Sequence, residues 1–122
     1  MTLNDLAKEI HENAVEHGWW DENRCFGETV ALCHSELSEA LEEDRAGRPV
    51  AYYDVTTDRE HIRVIDIDDS GSRKMEGIAT EMIDCIIRIL DWAGHECIDV
   101  DRLIKAKMRY NKSRPYKHGK RY

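Results

Sequence analysis

Apolar residues recur with the period of an α-helix in four stretches of the chain. The pattern predicts helices over residues 3–17, 27–46, 76–93 and 99–112. At the start of the first, Thr2 stands three positions before Asp5, which is an approximate capping box. Gly18, Gly47 and Gly94 follow the first three helices and are typical of helix ends. The sequence therefore predicts an all-α protein built as a four-helix bundle.

The stretch between helices two and three has a different pattern. Its segments AYYDVTT and HIRVIDID are rich in Tyr, Val, Ile and Thr, with a short polar DRE between them. This composition is typical of a β-hairpin. The alternative is a solvated loop. We expect a hairpin inserted within about residues 49–75, between helices two and three.

Length and charge limit the architecture and the partners. The chain of 122 residues has room for a single domain with one core. Its formal net charge is −7, yet residues 101–122 hold nine of the 18 Lys and Arg and a single acidic residue. An acidic body with a basic tail, at about residues 113–122, argues against a general nucleic-acid binder but suits phosphates on a small ligand.

No stretch has the length and apolar character of a membrane span or of a signal peptide. We therefore expect a cytoplasmic protein without a membrane partner. The four cysteines have no CxxC spacing, so zinc is not expected, and their helical positions predict buried, reduced thiols.

Two helices each carry an acidic pair at positions i and i+3. Glu36 and Glu39 lie at the edge of the apolar face of helix two. Glu81 and Asp84 lie, with Arg88, on a narrow polar strip of helix three. The apolar arc of helix three covers more than half of its circumference, so this helix is expected to be buried among several neighbours.

Acidic side chains on a mostly buried helix need partners, because an unpaired buried carboxylate costs several kcal/mol or takes up a proton. Two such pairs can surround a hard cation with oxygen ligands, which favours Mg²⁺, with Mn²⁺ as the alternative. A solvated face on helix two with salt bridges on helix three is an equally open interpretation. A di-iron site is disfavoured, because neither pair ends in His.

Further residues are candidates for substrate binding. On helix four, the stripe that begins with Val100, Leu103 and Ile104 continues as Lys107, Asn111 and Arg114, so an inward face is expected to change from apolar to phosphate-binding. The alternative is a solvated helix end whose basic residues suit the helix dipole. Other candidates, each with a structural alternative, are Lys112, His34 and Trp20. Trp19 and Trp20 could stack on a base or anchor a core.

Four segments together resemble the MazG-like all-α nucleoside triphosphate pyrophosphohydrolases, which are relatives of dimeric dUTPases and phosphoribosyl-ATP pyrophosphohydrolases. They are IHENAVEHGWW, HSELSEALEE, EGIATEMIDCIIRIL and KMRYNKSRPYKHGKRY, and they extend over almost the whole chain. Residues 40–80 are longer than in the minimal core of that family. The resemblance implies a single MazG-like domain over residues 1–122.

The resemblance also implies a function and a site. Glu36, Glu39, Glu81 and Asp84 would ligate Mg²⁺ and form the catalytic set for hydrolysis of (deoxy)nucleoside triphosphates to a monophosphate and pyrophosphate, in control of the nucleotide pool. Either Glu39 or Glu43 would orient or deprotonate the water. The alternative is a non-catalytic helical module that senses nucleotides or binds a protein. The wide apolar arc of helix three predicts a homodimer or a dimer of dimers.

Overall fold

Four α-helices make up most of the chain, as the sequence pattern predicts. A computed structural model describes residues 1–53 and 67–119. Its elements, in chain order, are α1 (Leu3–Glu16), α2 (Phe26–Arg45), α3 (Ile78–His95), α4 (Val100–Ser113) and a short 3₁₀ helix (Tyr116–Gly119). The all-α class is confirmed for these residues. Among the helices in the described ranges, none is both long and apolar enough to cross a lipid bilayer.

The predicted β-hairpin falls mainly on residues 54–66, which lie outside the described residues. Its described ends, residues 51–53 and 67–68, contain no strand. The β-type pairing in the described part is one isolated antiparallel bridge between Tyr52 and Glu76, and Glu76 lies outside the predicted hairpin. The hairpin is thus not supported by what is described, because Ala51 and Tyr52 are buried beside the start of α3 instead.

The segment that contains Val50 and Tyr52 is held to the start of α3 by backbone hydrogen bonds. The amide of Tyr52 donates to the carbonyl of Glu76 at 2.9 Å, and the amide of Glu76 donates back at 2.7 Å. The amide of Ala79 donates to the carbonyl of Val50 at 2.9 Å. Gly77 has a φ of +112°, and a Cβ there would lie within 2.4 Å of the Val50 carbonyl oxygen, so only glycine allows this close approach.

The chain divides into two units, and the first comprises Met1–Asp21 with Leu90–Tyr122. In this unit α1 and α4 cap each other. The Asp101 carboxylate accepts from the amides of Leu3 and Asn4, both at 3.1 Å, while the Asn4 side chain accepts from the amide of Val100 at 2.8 Å. The capping box of Thr2 and Asp5 is confirmed. These contacts satisfy amides at both helix starts that have no partner within their own helix.

Gly94 does not end α3, contrary to the prediction. The helix continues to His95, and the chain leaves it at Cys97, whose φ is +55°. A Cβ at Gly94 would lie 2.6 Å from the carbonyl oxygen of Ala7. Gly94 therefore permits the end of α3 to lie directly against α1, which is a packing role rather than a stop signal.

The second unit comprises Glu22–Ile89, and in it α3 is less buried than the sequence predicts. The polar residues Glu81, Asp84 and Arg88 are half-buried. Within the apolar arc Cys85 is buried, whereas five side chains are 40–52% exposed; they are Met82, Ile83, Ile86, Ile87 and Ile89. The expected burial of α3 among several neighbours is therefore wrong for much of its apolar arc in the single chain, because the strip with Glu81, Asp84 and Arg88 faces inward.

The thiol prediction holds only in part. All four cysteines are free, but Cys25 and Cys97 are exposed, Cys33 is half-buried and Cys85 is buried. Cys25 and Cys97 lie outside the regular part of the helices, at the start of α2 and after α3, where the apolar pattern no longer determines burial.

Candidate metal centre

Three of the four predicted metal ligands converge within the second unit. Glu36 and Glu39 lie on one face of α2, and Glu81 lies in the first turn of α3. One carboxylate oxygen from each lies within 4.8 Å of the others. Glu36 is only 7% exposed, Glu81 is half-buried and Glu39 is exposed, so the group of three, here called the acidic cluster, extends from the interior to the surface.

Asp84, the fourth predicted ligand, lies beside the acidic cluster rather than within it. It is half-buried, one helical turn after Glu81. Burial raises the pKa of Asp84, and the negative charges of Glu36 and Glu39 raise it further. These two charges act on Asp84 only at short range, so the aspartate is a neighbour of the cluster.

The electrostatics of the acidic cluster are unfavourable without a cation. The pKa of Glu81 is raised to about 7, first by burial, then by a hydrogen bond with Glu39 and its charge, and by Glu36 and Asp84. A carboxyl with such a pKa holds a proton for much of the time near neutrality, because two close carboxylates cannot both ionise freely. The cluster thus has the charge and the oxygen atoms that a hard cation requires.

Arg88 partly compensates this charge. Its Nε donates to Oε1 of Glu36 at 2.7 Å, and the Glu36 side chain is among the least exposed of the carboxylates in the described residues. The guanidinium also lowers the pKa of Asp84. One cation next to four carboxylates leaves the site negative, as the sequence indicates.

Glu43, one of the two candidates for activating water, is engaged elsewhere. Its Oε2 accepts from the hydroxyl of Tyr52 at 2.7 Å, and its Oε1 accepts from Nη1 of Arg48 at 3.1 Å. The charge of Glu43 contributes, after burial, to a raised pKa of the buried Tyr52. Glu43 therefore binds the segment after α2 through Arg48 and Tyr52. The sequence pattern did not predict Tyr52 as a partner of Glu43.

His34 lies on α2, two residues before Glu36, and is exposed. Two residues correspond to roughly 200° around a helix. His34 therefore points away from the face that carries the acidic cluster, and the structure does not bring it together with the metal ligands.

The basic stripe of α4 lies in the first unit, which is described separately from the acidic cluster. Lys107, Asn111 and Lys112 are exposed, and Arg114 is half-buried. Lys107 and Arg114 share one aromatic neighbour, with Nζ and Cζ at 5.5 and 5.4 Å from the centre of the Tyr110 ring. Sequence reasoning missed this tyrosine, although its i+3 and i+4 spacing to both cations is a usable signal.

The expected inward direction of this stripe is wrong for the single chain. Leu103 and Ile104, which were expected to be buried, are exposed, and α4 has no buried residue. The contacts that hold α4 involve its N-terminus, at Val100 and Asp101, so the later turns of the helix remain on the surface.

Trp20 belongs to a cluster of the first unit. Its indole stacks on His95 with ring centres 4.0 Å apart and planes at 7°, and its Nε1 donates to Oδ1 of Asp91 at 2.9 Å. Nδ1 of His11 lies 2.8 Å from the same carboxylate oxygen. An indole with one face covered and its N–H bonded to a buried carboxylate is typical of a core anchor. This geometry favours the structural interpretation of Trp20 over base stacking.

No protein-family model, curated protein or solved structure matches the chain. The resemblance to MazG-like enzymes therefore stays a prediction, and the geometry of the acidic cluster carries the functional argument.

Proposed function

We propose that the chain is a Mg²⁺-dependent nucleoside triphosphate pyrophosphohydrolase of the MazG-like kind, with Mn²⁺ as an alternative metal. The observation that carries this proposal is the acidic cluster, in which two motifs more than 40 residues apart bring Glu36, Glu39 and Glu81 within 4.8 Å. A solvated acidic face does not require such convergence. The raised pKa of Glu81 also supports the proposal, because strongly perturbed carboxyl groups cluster at functional sites.

The donor set fits a hard divalent cation. The three converging ligand atoms of the acidic cluster are carboxylate oxygens, and Asp84 offers further carboxylate oxygens beside them. The cluster contains no His or Cys. Oxygen-only donors suit Mg²⁺ and Mn²⁺ better than zinc or copper. Glu36, Glu39 and Glu81, with Asp84 beside them, would hold the cation, which would supply Lewis-acid chemistry that withdraws charge from the phosphorus.

The residues of the chain have distinct roles in the proposed reaction. Water attacks the α-phosphorus, the bond to the oxygen that bridges to the β-phosphorus breaks, and that oxygen leaves with pyrophosphate. Glu39 takes the proton from the water. It is the better candidate than Glu43, because Glu39 is the exposed member of the cluster while Glu43 is bonded to Tyr52 and Arg48.

The phosphates need cations that the acidic cluster does not offer. We propose that Lys107, Asn111 and Arg114, with Lys112, bind the β- and γ-phosphates. Tyr110 holds Lys107 and Arg114 on one side of α4, which supports a shared anion site.

The first experiment is a measurement of pyrophosphate release from a panel of canonical ribo- and deoxyribonucleoside triphosphates. We expect turnover of at least one of them with Mg²⁺ and none in excess EDTA. Release of inorganic phosphate without pyrophosphate would indicate attack at the γ-phosphorus and contradict the proposed reaction. The panel also identifies the base and the sugar that the site prefers.

A non-catalytic interaction module is the second candidate. It is favoured by one observation, the exposed apolar surface of α3 and of Leu37 and Leu41 on α2. Nucleotide binding without turnover in the same panel would select this candidate. If the chain is the enzyme, we propose that this surface is covered by a second copy, in a homodimer or a dimer of dimers.

A further inference from the structure

The guanidinium of Arg88 is a positive charge next to the acidic cluster, and it has no role in the proposed reaction. Arg88 lies on α3 one turn after Asp84, and its Nε donates to Oε1 of Glu36 at 2.7 Å. The Arg88 side chain is 27% exposed and that of Glu36 is 9% exposed, so the pair is shielded from much of the water that would otherwise screen it.

This ion pair has two opposing consequences for a divalent cation. The bond from Nε of Arg88 to Oε1 of Glu36 fixes the orientation of a carboxylate that belongs to the acidic cluster. At the same time, the positive charge of the guanidinium repels a second cation that shares the carboxylate. The pair also gives Glu36 a partner in the metal-free protein, because a buried carboxylate without any partner is costly.

We propose that Arg88 is a positioning residue that holds Glu36 in the metal-free protein and weakens the binding of a free divalent cation. The cation is then bound tightly only together with a polyphosphate ligand, whose negative charges and oxygen atoms offset the repulsion from Arg88. This inference rests on the proposed function and adds an order of events to it, in which metal and nucleotide arrive as one complex.

The test is a calorimetric titration of the metal-free protein with Mn²⁺ at pH 8, with and without a non-hydrolysable α,β-methylene nucleoside triphosphate. The variants are Arg88→Gln, which removes the charge, and Arg88→Lys, which keeps it. Arg45→Gln is the matched control, because Arg45 ends α2, is exposed and pairs with Glu42 at 3.6 Å, away from the cluster.

We expect Arg88→Gln to bind free Mn²⁺ roughly tenfold more tightly than the wild type, since one unit of repulsive charge next to the site is gone. Arg88→Lys and Arg45→Gln should stay close to the wild type. The nucleotide analogue should strengthen Mn²⁺ binding more in the wild type than in Arg88→Gln. A purely structural role for Arg88 would not increase the affinity in any variant.

The outcomes separate this inference from the proposed function. Wild-type protein that binds no Mn²⁺ even with the analogue overturns both. If the wild type binds Mn²⁺ and Arg88→Gln binds it equally or more weakly, only the role of Arg88 is overturned. The same holds if the affinity for Mn²⁺ increases as much in Arg88→Lys as in Arg88→Gln. If Arg88→Gln unfolds, thermal melts decide: folding restored by Mn²⁺ supports the inference, and failure to fold at saturating Mn²⁺ overturns it.

Discussion

Glu81 of α3 and Glu39 of α2 each place a carboxylate oxygen within 4.8 Å of the other, so two acidic side chains that should repel each other meet within the second unit. Burial raises the pKa of Glu81, and the neighbouring Glu39 raises it further, to about 7, so the carboxyl holds a proton for much of the time near neutrality. A metal ion would replace this proton. The relationship makes both cation binding and stability depend on pH in a defined direction.

Cation binding should strengthen as the pH rises from about 5.5 to about 8, because only the ionised form of Glu81 is a good ligand. Near pH 6 each bound Mg²⁺ should release up to about one proton. Calorimetry in two buffers with different ionisation enthalpies measures this release directly. An affinity that does not change over this pH range would contradict the assignment of Glu81 as a ligand.

The stability of the metal-free protein should change in the opposite direction. The folded chain raises the pKa of Glu81 from 4.5 to about 7, so it favours the protonated form. This contribution to the free energy of unfolding is complete below about pH 4.5 and is lost as the pH rises through 7. Melting temperatures in EDTA should therefore fall between pH 5 and 8, and Glu81→Gln should remove part of that fall.

The helices and the acidic pairs could be predicted because their signals are local. Spacing by three residues on one helix places Glu36 beside Glu39 regardless of the rest of the fold. The role of Gly94 could not be predicted, because it depends on the Ala7 carbonyl of a distant helix. The stacking of Trp20 on His95 likewise joins residues far apart in the sequence.

The local pattern also could not predict which face of α3 is buried. Periodicity identifies an apolar arc and a polar strip, but it does not say which of them turns toward α2. The strip turns inward because Glu36 offers Arg88 a buried partner, while much of the apolar arc stays exposed in the single chain.

Activity should require both acidic pairs. Glu39→Gln and Asp84→Asn keep the side-chain shape and remove a negative charge, so we expect pyrophosphate release to fall. The loss should be roughly 100-fold or more for Glu39, the range typical of a lost general base, and roughly 10- to 100-fold for Asp84, through weaker metal binding. Circular dichroism should show unchanged helix content. Glu42→Gln is the control, since Glu42 is exposed on the same helix and pairs only weakly with Arg45 at 3.6 Å. Near-normal rates in the first two variants would remove this site.

The apolar surface of α3 should mediate self-association. Changing Ile83 and Ile86 to Glu places charges on side chains that are exposed in the single chain, so a monomer loses little stability while an apolar interface is broken. Sedimentation at micromolar concentration should show a dimer or larger assembly for the wild type and a monomer for the double variant. A monomeric wild type would contradict the proposed pairing and favour a different partner for this surface.

The basic stripe should bind phosphate without regard to the base. Lys107→Ala and Arg114→Ala each remove a cation that lies about 5.5 Å from the Tyr110 ring. Each loss should weaken nucleotide binding by roughly 1.5 to 3 kcal/mol, the usual range for a charge-assisted hydrogen bond. Because phosphates carry no base identity, the Michaelis constants for all nucleoside triphosphates should rise by the same factor.

Lys105→Ala, on the same exposed helix, removes an equal charge outside the stripe and serves as the control. An effect confined to one base would assign the stripe to base recognition, and unchanged constants would leave it as solvated surface.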